Sequence, residues 1–312
     1  MIIAKTIEEA RRCVWKWKAE EKSIGLCPTM GYLHEGHLSL MKASVHDNDV
    51  TVASIFVNPM QFGPSEDLAK YPRDFERDCA MLEAEGVDMV FAPEPSEMYL
   101  DDFCTFVDMT VVSEGLCGRS RPVMFRGVCT VLTKLINIIY PNRMYMGKKD
   151  AQQLAVVRRM VRDLNFNLDV VGCPTVRESD GLAKSSRNSY LTPEQRQASR
   201  ILSRTLRHAQ ETIAAAGICS EAECAGGETA AADASADGMD AAALIAQMRE
   251  ELQTEPMADI DYVEIVDGLS MQPVQRLHEG DLVAIAVRIG STRLIDNFIV
   301  GDPLIEASPE FC

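Results

Sequence analysis

Over the first 175 residues, short apolar runs alternate with stretches of helical periodicity. The runs Ile24–Pro28, Val50–Val57, Val87–Ala92, Arg143–Gly147 and Leu168–Pro174 are short enough for strands. Continuous apolar character, as in the VTVASIFV run from Val50, predicts strands buried on both faces. Between them, His37–Val45, Asp74–Glu85, Val128–Ile139 and Ala151–Leu164 place apolar residues at helical spacing. This alternation predicts an α/β fold whose N-terminal domain, residues 1–175, is a Rossmann-like, mostly parallel sheet covered by helices.

From residue 176 to 312 the pattern changes to that of a smaller α+β domain, expected to act as a lid. Pro193–Ala216 is a long helical stretch opened by the capping-like Thr192-Pro193-Glu194. Strands are expected at Ile260–Val266, Leu282–Ile289 and Arg293–Val300, forming a small antiparallel sheet. Between two helices, near residues 217–240, lies an acidic segment rich in Ala and Gly. It cannot bury enough apolar surface to order itself, so it reads as a flexible insertion with no function of its own.

Composition narrows the class. A chain of 312 residues with 46% apolar and 25% charged residues suits a soluble globular protein of two domains. Charge runs through MIIAKTIEEARRCVWKWKAEEKS, so the start does not read as a signal peptide. No apolar stretch approaches the roughly 18 residues of a membrane helix, and a cytoplasmic location is expected. Residues 211–260 hold eleven acidic residues against Arg249, supplying ten of the sixteen net negative charges. The acidity is therefore mostly local, yet it weighs against a nucleic-acid partner, which calls for basic patches. The ten cysteines lack any C-x-x-C pair. Cys27, Cys129 and Cys173 read as small buried hydrophobes of a reducing compartment. Cys219 and Cys224 are the closest pair, with no histidine nearby, and no metal site is expected.

On sheets of this kind ligands bind at the carboxyl ends of strands, so polar residues matter most there. The run GLCPTMGYLHEGHLSLM passes from strand through a Pro-Gly loop into a helix. His34 and His37, three apart, share one helical face. At a helix N-terminus, free N–H groups and the dipole favour an anion, and imidazole donors add to that. Gly36 allows close approach of a ligand to the backbone. Gly31–His37 has phosphate-loop spacing, but His37 and Leu38 stand where Lys and Ser/Thr belong. His34-Glu35-Gly36-His37 is one residue short of the zinc-protease H-E-x-x-H. A second cluster, Gly147-Lys148-Lys149-Asp150, opens the helix that carries Gln152 and Gln153. A lysine there suits phosphate, and Asp150 could cap the helix or hold ribose hydroxyls. A third, Lys184-Ser185-Ser186-Arg187-Asn188, sets two hydroxyls between two cations, a plausible polyphosphate clamp.

In order along the chain, P-T-M-G-x-L-H-E-G-H, S-I-F-V-N-P-x-Q-F, G-x-K-D-x-Q-Q and S-S-R-N resemble the pantothenate synthetase family. The resemblance runs from about Gly25 to Thr192 and more weakly through Thr292–Asn297. H-x-G-H alone is shared with the wider nucleotidyltransferase superfamily; Asn58-Pro59-Met60-Gln61-Phe62 narrows it. The resemblance implies ATP-dependent condensation of (R)-pantoate with β-alanine through a pantoyl-adenylate, releasing AMP and pyrophosphate. It implies Mg2+ bound with the nucleotide, and a homodimer through the N-terminal domain.

It also implies roles for single residues. Met30, Gly31, Tyr32, Leu33, His34, Glu35, Gly36 and His37 would bind ATP, with His37 as acid or donor and His34 against the triphosphate. Gly147, Lys148, Lys149 and Asp150 would bind the nucleotide, Lys149 at phosphate and Asp150 at ribose. Val176 would offer backbone to adenine, and Lys184, Ser185, Ser186 and Arg187 would close over the phosphates. Gln61 and Gln153 would hold pantoate, with Asn58, Tyr71 and Arg121 as further pocket residues. His37, His34, Lys149 and Arg187 are thus the catalytic candidates. The chain departs from the family pattern at Met124 (commonly His), Lys148 (Glu), Ala151 (aromatic) and Lys184 (apolar). The competing readings are another nucleotidyltransferase of the H-x-G-H superfamily, and a catalytically inactive paralogue that only binds.

Overall fold

The computed structural model describes residues 1–64, 68–218, 238–303 and 305. They form two compact units: residues 1–176 with 184–186, and residues 177–183 with the described part of 187–312. The fold is α/β, with a Rossmann-like sheet in the first unit and a smaller α+β arrangement in the second. Among the described residues no helix is long and apolar enough to cross a membrane.

The first unit is built on six strands: β1 (Ile2–Ala4), β2 (Ile24–Thr29), β3 (Val50–Ile55), β4 (Met89–Phe91), β5 (Arg143–Gly147) and β6 (Asp169–Cys173). They pair in the order β1-β4-β3-β2-β5-β6, and every pairing is parallel. Parallel neighbours need crossovers, here α1 (Ile7–Ala19), α2 (Glu35–Asp47), α3 (Phe75–Ala84), then short α4 (Pro95–Met98) and α5 (Leu116–Ser120), α6 (Met124–Ile139) and α7 (Ala151–Asp163). Right-handed crossovers decide the faces. The chain steps one way from β2 to β4, putting α2 and α3 on one face, and the other way from β4 to β6, putting α6 and α7 on the opposite face. Packing agrees: α2 meets α3, while α6 meets both α1 and α7. Leu40 and Met41 of α2 and Leu82 of α3 bury against Cys27, Ala53, Val90 and Tyr145 of the sheet. Each such side chain contributes roughly 1.5–3 kcal/mol by leaving water.

Two close approaches fix where the loops sit. Gly25 lets α2 lie against β2, because a Cβ there would meet Asn48 at 2.6 Å and clash with Ser44. Gly127, in the first turn of α6, lets the 3-10 turn Pro59–Gln61 rest on that helix; a Cβ would press into the Met60 carbonyl.

The second unit packs α8 (Pro193–Ser199), α9 (Ile201–Ala215) and α10 (Ala241–Leu252) against the antiparallel sheet β7 (Ala258–Val266), β8 (Leu282–Ile289) and β9 (Thr292–Ile299). The single long helix expected over Pro193–Ala216 is thus two. The division is slight: Arg200 between them keeps helical angles, φ −63° and ψ −18°, and buried Ser199 donates its hydroxyl to the Arg196 carbonyl at 2.7 Å. β1 and α1, which the apolar pattern did not mark, are also present. Residues 219–237, which hold most of the expected insertion together with Cys219 and Cys224, lie outside the described residues.

Arg177 and Asp296 form a buried bidentate pair, at 2.7 and 2.9 Å, with Arg177 also donating to the Gly181 carbonyl at 3.0 Å. The pair ties the turn 177–183 to β9. Removing one partner strands the other charge, so Asp296→Ala should destabilise the protein by about 3–5 kcal/mol. Urea unfolding would measure this; a loss below about 1 kcal/mol would show that the pair does not hold the turn.

Candidate active site

Strand order sets the location. The chain leaves β2 towards β3 and later returns to β5 on its other side, so the loops after β2 and β5 diverge at a topological switch point. In sheets of this class, that crevice at the carboxyl ends is where ligands bind.

The loop after β2 is strongly curved. Gly31 has φ 80° and Tyr32 φ 51°, two successive left-handed residues. Thr29 braces the turn: its hydroxyl donates to the Ser54 carbonyl at 2.7 Å and accepts from the Gly31 N–H at 3.1 Å. From α3, the buried carboxylate of Asp78 accepts the N–H groups of Tyr32 at 2.6 Å and Leu33 at 2.7 Å. His34 then becomes the N-cap of α2 and His37 its third residue.

The two imidazoles form a reciprocal capping box. His34 Nδ1 accepts from the Gly36 N–H at 3.2 Å, and His37 Nδ1 accepts from the His34 N–H at 3.4 Å. With both Nδ1 atoms accepting, each neutral ring carries its proton on Nε2. Their centroids are 4.1 Å apart. Burial, then Lys149, Lys184 and Arg77, pushes His34 down to about 4. Burial, then His34 itself, pushes His37 down to about 3. At neutral pH the pair thus offers two neutral Nε2–H donors beside a helix N-terminus. Neutral N–H donors of this kind can meet an anion through hydrogen bonds without carrying charge of their own.

Cations gather around this pair. Lys149 follows β5, in a 3-10 turn (Lys148–Asp150) that leads into α7. Asp150 occupies the N-cap position of α7, yet its side chain makes no capping bond. Of the two uses open to it, capping is therefore not the one realised, and its exposed carboxylate lies 3.9 Å from Lys149 Nζ. Lys184 donates its backbone N–H to the Val176 carbonyl at 2.9 Å and its ammonium to Glu35 at 2.7 Å. Ser186 donates its hydroxyl to the Tyr32 carbonyl at 3.2 Å. Lys184, Ser185 and Ser186 thus belong to the same unit as the histidines, whereas Arg187 is counted with the second unit.

The glutamines separate clearly. Gln152, buried, accepts from the Cys117 N–H at 2.9 Å and donates to the carbonyls of Val112 and Gly115 at 3.1 and 2.8 Å. It is a structural tie. Gln153, next to it, makes no such bond among the described residues. Gln61 is held by two neighbours: it donates to Met30 Sδ at 3.0 Å and accepts from Asn58 at 3.2 Å. Asn58 is buried and satisfied by protein, donating also to the Gly127 carbonyl and accepting from the Tyr99 hydroxyl and the Met60 N–H. It organises the turn rather than facing outward. Tyr71 packs edge-on against Phe62, with centroids 6.1 Å apart.

A sequence profile of pantoate-beta-alanine ligase matches residues 2–299. The chain belongs to the pantoate-beta-alanine ligase family. It is 51% identical over 298 residues to the pantothenate synthetase of Enterococcus faecalis, covering 96% of this chain and 98% of that one. With that of Ruminiclostridium cellulolyticum it shares 49% over 293 residues, covering 94% and 96%. Its structure is similar to that of the pantothenate synthetase from Thermus thermophilus, with a TM-score of 0.85, 41% identity, and coverage of 96% and 99%. It also resembles the pantoate-beta-alanine ligase from Francisella tularensis complexed with beta-gamma ATP and beta-alanine. There the TM-score is 0.75, the identity 30%, and the coverage 97% and 99%.

Within this ligase family pattern, the departure at Met124 acquires a geometry. Arg121 points one guanidinium nitrogen at Met124 Sδ, 2.6 Å away, and another at the Gln61 carbonyl, 3.3 Å away. Thioethers of Met30 and Met124 therefore flank the Gln61–Arg121 pair. Sequence reasoning missed Asp78, Arg77 and Thr29. The available signal for Asp78 was its spacing of four from buried Leu82, which sets a carboxylate on the inward face of α3.

The depressed histidines make a stability prediction. Unfolded histidine binds its proton near pH 6.5, while His34 and His37 resist until about 4 and 3. Between those values the unfolded chain binds more protons, so stability falls as pH drops. The urea midpoint of ligand-free protein should fall between pH 7 and 4, and fall less in His37→Gln. Equal slopes for the two proteins would show that His37 is not held neutral.

Proposed function

We propose that this chain condenses (R)-pantoate with β-alanine through a pantoyl-adenylate, consuming ATP and releasing AMP and pyrophosphate. The observation that carries the reading is the paired Nε2–H donors of His34 and His37 at the N-terminus of α2, with Lys149 and Lys184 close enough to depress His34. Family membership supports it, as does the ATP and β-alanine complex of the Francisella tularensis relative.

In the first step a pantoate carboxylate oxygen bonds to the α-phosphorus as the bond to the bridging oxygen breaks and pyrophosphate leaves. Positioning and fixed donors dominate such a transfer. In this reading Met30–His37 bind ATP, with the His34 and His37 N–H groups and the Lys149 ammonium meeting the charge that builds on the phosphates. Asp150, with no cap to form, is available for ribose, and Gly147, Lys148 and Val176 line the nucleotide. Lys184, Ser185, Ser186 and Arg187 complete the phosphate contacts. Mg2+ belongs to the proposal as a partner of the nucleotide: bound with ATP beside His34 and Lys149, it would help to neutralise the charge that builds on the phosphates.

In the second step the β-alanine amine attacks the acyl carbonyl, the carbonyl–phosphate C–O bond breaks, AMP leaves and the nitrogen loses its proton. Gln61 and Gln153 hold pantoate's hydroxyl and carboxylate with neutral amides that do not compete with the cations for phosphate. Asn58 keeps Gln61 in place, and Tyr71 and Arg121 bound the pocket. The dimer belongs to the proposal as well, as what the family resemblance implies for the first unit. Sedimentation would read it, and a purely monomeric mass would remove it.

Kinetics test the reading. Pyrophosphate should be released on adding ATP and pantoate, and faster with β-alanine; no pantoate-dependent release would end the proposal. His37→Ala should lower kcat/KM by about 10²-fold or more, as for loss of one charge-stabilising donor. Gln153→Ala should raise the pantoate KM and leave that for ATP nearly unchanged. Equal effects on both substrates would remove Gln153 as a pantoate ligand.

A further inference from the structure

We infer that Asp78 is a positioning residue: its carboxylate holds the Gly31–Leu33 turn in the shape that presents His34 and the α2 N-terminus to nucleotide phosphate. The inference rests on the reading of Met30–His37 as the ATP loop.

Three observations converge on it. First, Asp78 is 1% exposed, packed in α3 beside Leu82, where an ionised carboxylate is costly unless hydrogen-bonded. Second, its two bonds, 2.6 and 2.7 Å, come from the N–H groups of consecutive residues, Tyr32 and Leu33. Such short charge-assisted bonds are about twice as strong as neutral ones. The nearest cation, half-exposed Arg77, stands at 4.0 Å, outside direct hydrogen-bonding range. Third, the turn it grips is one the chain would not hold by itself. Tyr32 sits at φ 51°, a left-handed conformation that costs about 1–2 kcal/mol for a residue with a Cβ. At Gly31 a Cβ would meet Asp78 Oδ2 and Ile55 Cγ2, both at 3.0 Å, so the carboxylate sits directly against the turn.

Two adjacent N–H groups converging on one anion form a nest of the kind that otherwise binds phosphate. Here an internal carboxylate fills it. The Tyr32 and Leu33 amides are therefore not offered to the ligand. What they gain instead is a fixed turn, and His34 follows it by one residue. Its N-cap geometry, and through the capping box that of His37, inherits that turn's position. Displacing such a group by about 1 Å can cost 10²-fold in rate.

The test uses the isosteric Asp78→Asn, which turns one acceptor into a donor facing an N–H. With each substrate varied separately, the ATP KM should rise about 10-fold or more, the scale of one lost charge-assisted hydrogen bond. The pantoate KM should stay within about twofold. A folded Asp78→Asn protein that melts lower but keeps both KM values would overturn the inference, leaving Asp78 a stabilising acid only. His34→Ala, run beside it, separates the two claims. If His34→Ala leaves the ATP KM unchanged, the loop reading itself fails; if only Asp78→Asn does, the clamp alone fails. Amide hydrogen exchange on the unaltered protein reports even if the variant does not fold. The Tyr32 and Leu33 amides should exchange slowly without nucleotide and change little with β,γ-methylene ATP. Fast exchange that slows only with the analogue would mean that the nucleotide orders the turn, and would reject the clamp.

Discussion

The pairing of β2 between β3 and β5 is the constraint from which the rest of the first unit follows. Parallel strands cannot be joined by hairpins, and their crossovers are right-handed. Once β2 lies between neighbours reached in opposite directions, α2 and α7 must cover opposite faces. The segments that lead into them therefore part above the end of β2, leaving a gap flanked by Met30–His34 on one side and Lys148–Asp150 on the other. Backbone donors at the start of α2 are unpaired there by geometry. The side chains needed only to supplement a site the sheet had already opened.

Electrostatics explains why those side chains are histidines. A lysine at position 34 would add a permanent charge beside Lys149, Lys184 and Arg77, and one at position 37 a buried charge beside Lys149, where burial and like charges disfavour it. An imidazole instead loses its proton, as the depressed values of about 4 and 3 describe, and remains a donor through Nε2. The capping box fixes this tautomer by using Nδ1 as an acceptor. A bound polyphosphate would reverse the local field and raise both values. The donors would then strengthen as negative charge builds, without a permanent charge that repels their cationic neighbours.

Much of this was legible in the sequence, and the exceptions share a cause. β2, β3, β5 and β6 carry dense apolar runs, so pattern alone places them within a residue or two. β1 has only three residues, too few to carry a period. Among the candidate site residues, His34, His37, Lys149 and Lys184 stood out because their types are chemically pointed and follow strands in the chain. Asp78 did not: an acid on an amphipathic helix reads as solvated unless its register with Leu82 is counted. The resemblance singled out Gln153, and residue type alone did not separate it from its neighbour Gln152; the position of the Val112–Cys117 segment decides that Gln152 is the one tied inward. Chemistry that depends on one residue's own type is readable in the chain; chemistry that depends on which distant backbone meets it is not.

The family departures fit this electrostatic picture once geometry is added. Lys184 and Lys148, read as charge alone, would overload the phosphate region with positive potential. Lys184, however, bonds Glu35 at 2.7 Å, and Glu35 is 60% exposed in its side chain. The Lys184 side chain is itself only 18% exposed, so the pair is open to water on the carboxylate side alone. Glu35 also sits in the first turn of α2, where a negative charge interacts favourably with the helix dipole without help from Lys184. Glu35 therefore keeps a favourable setting without the pair, and in the proposed reading the Lys184 ammonium exchanges a monovalent partner for a polyanion. Held 2.7 Å from the Glu35 carboxylate, in the first turn of α2, the Lys184 ammonium already lies on the segment to which the proposed reading brings phosphate, so engaging the nucleotide asks for an exchange of anionic partner rather than a new position for the cation.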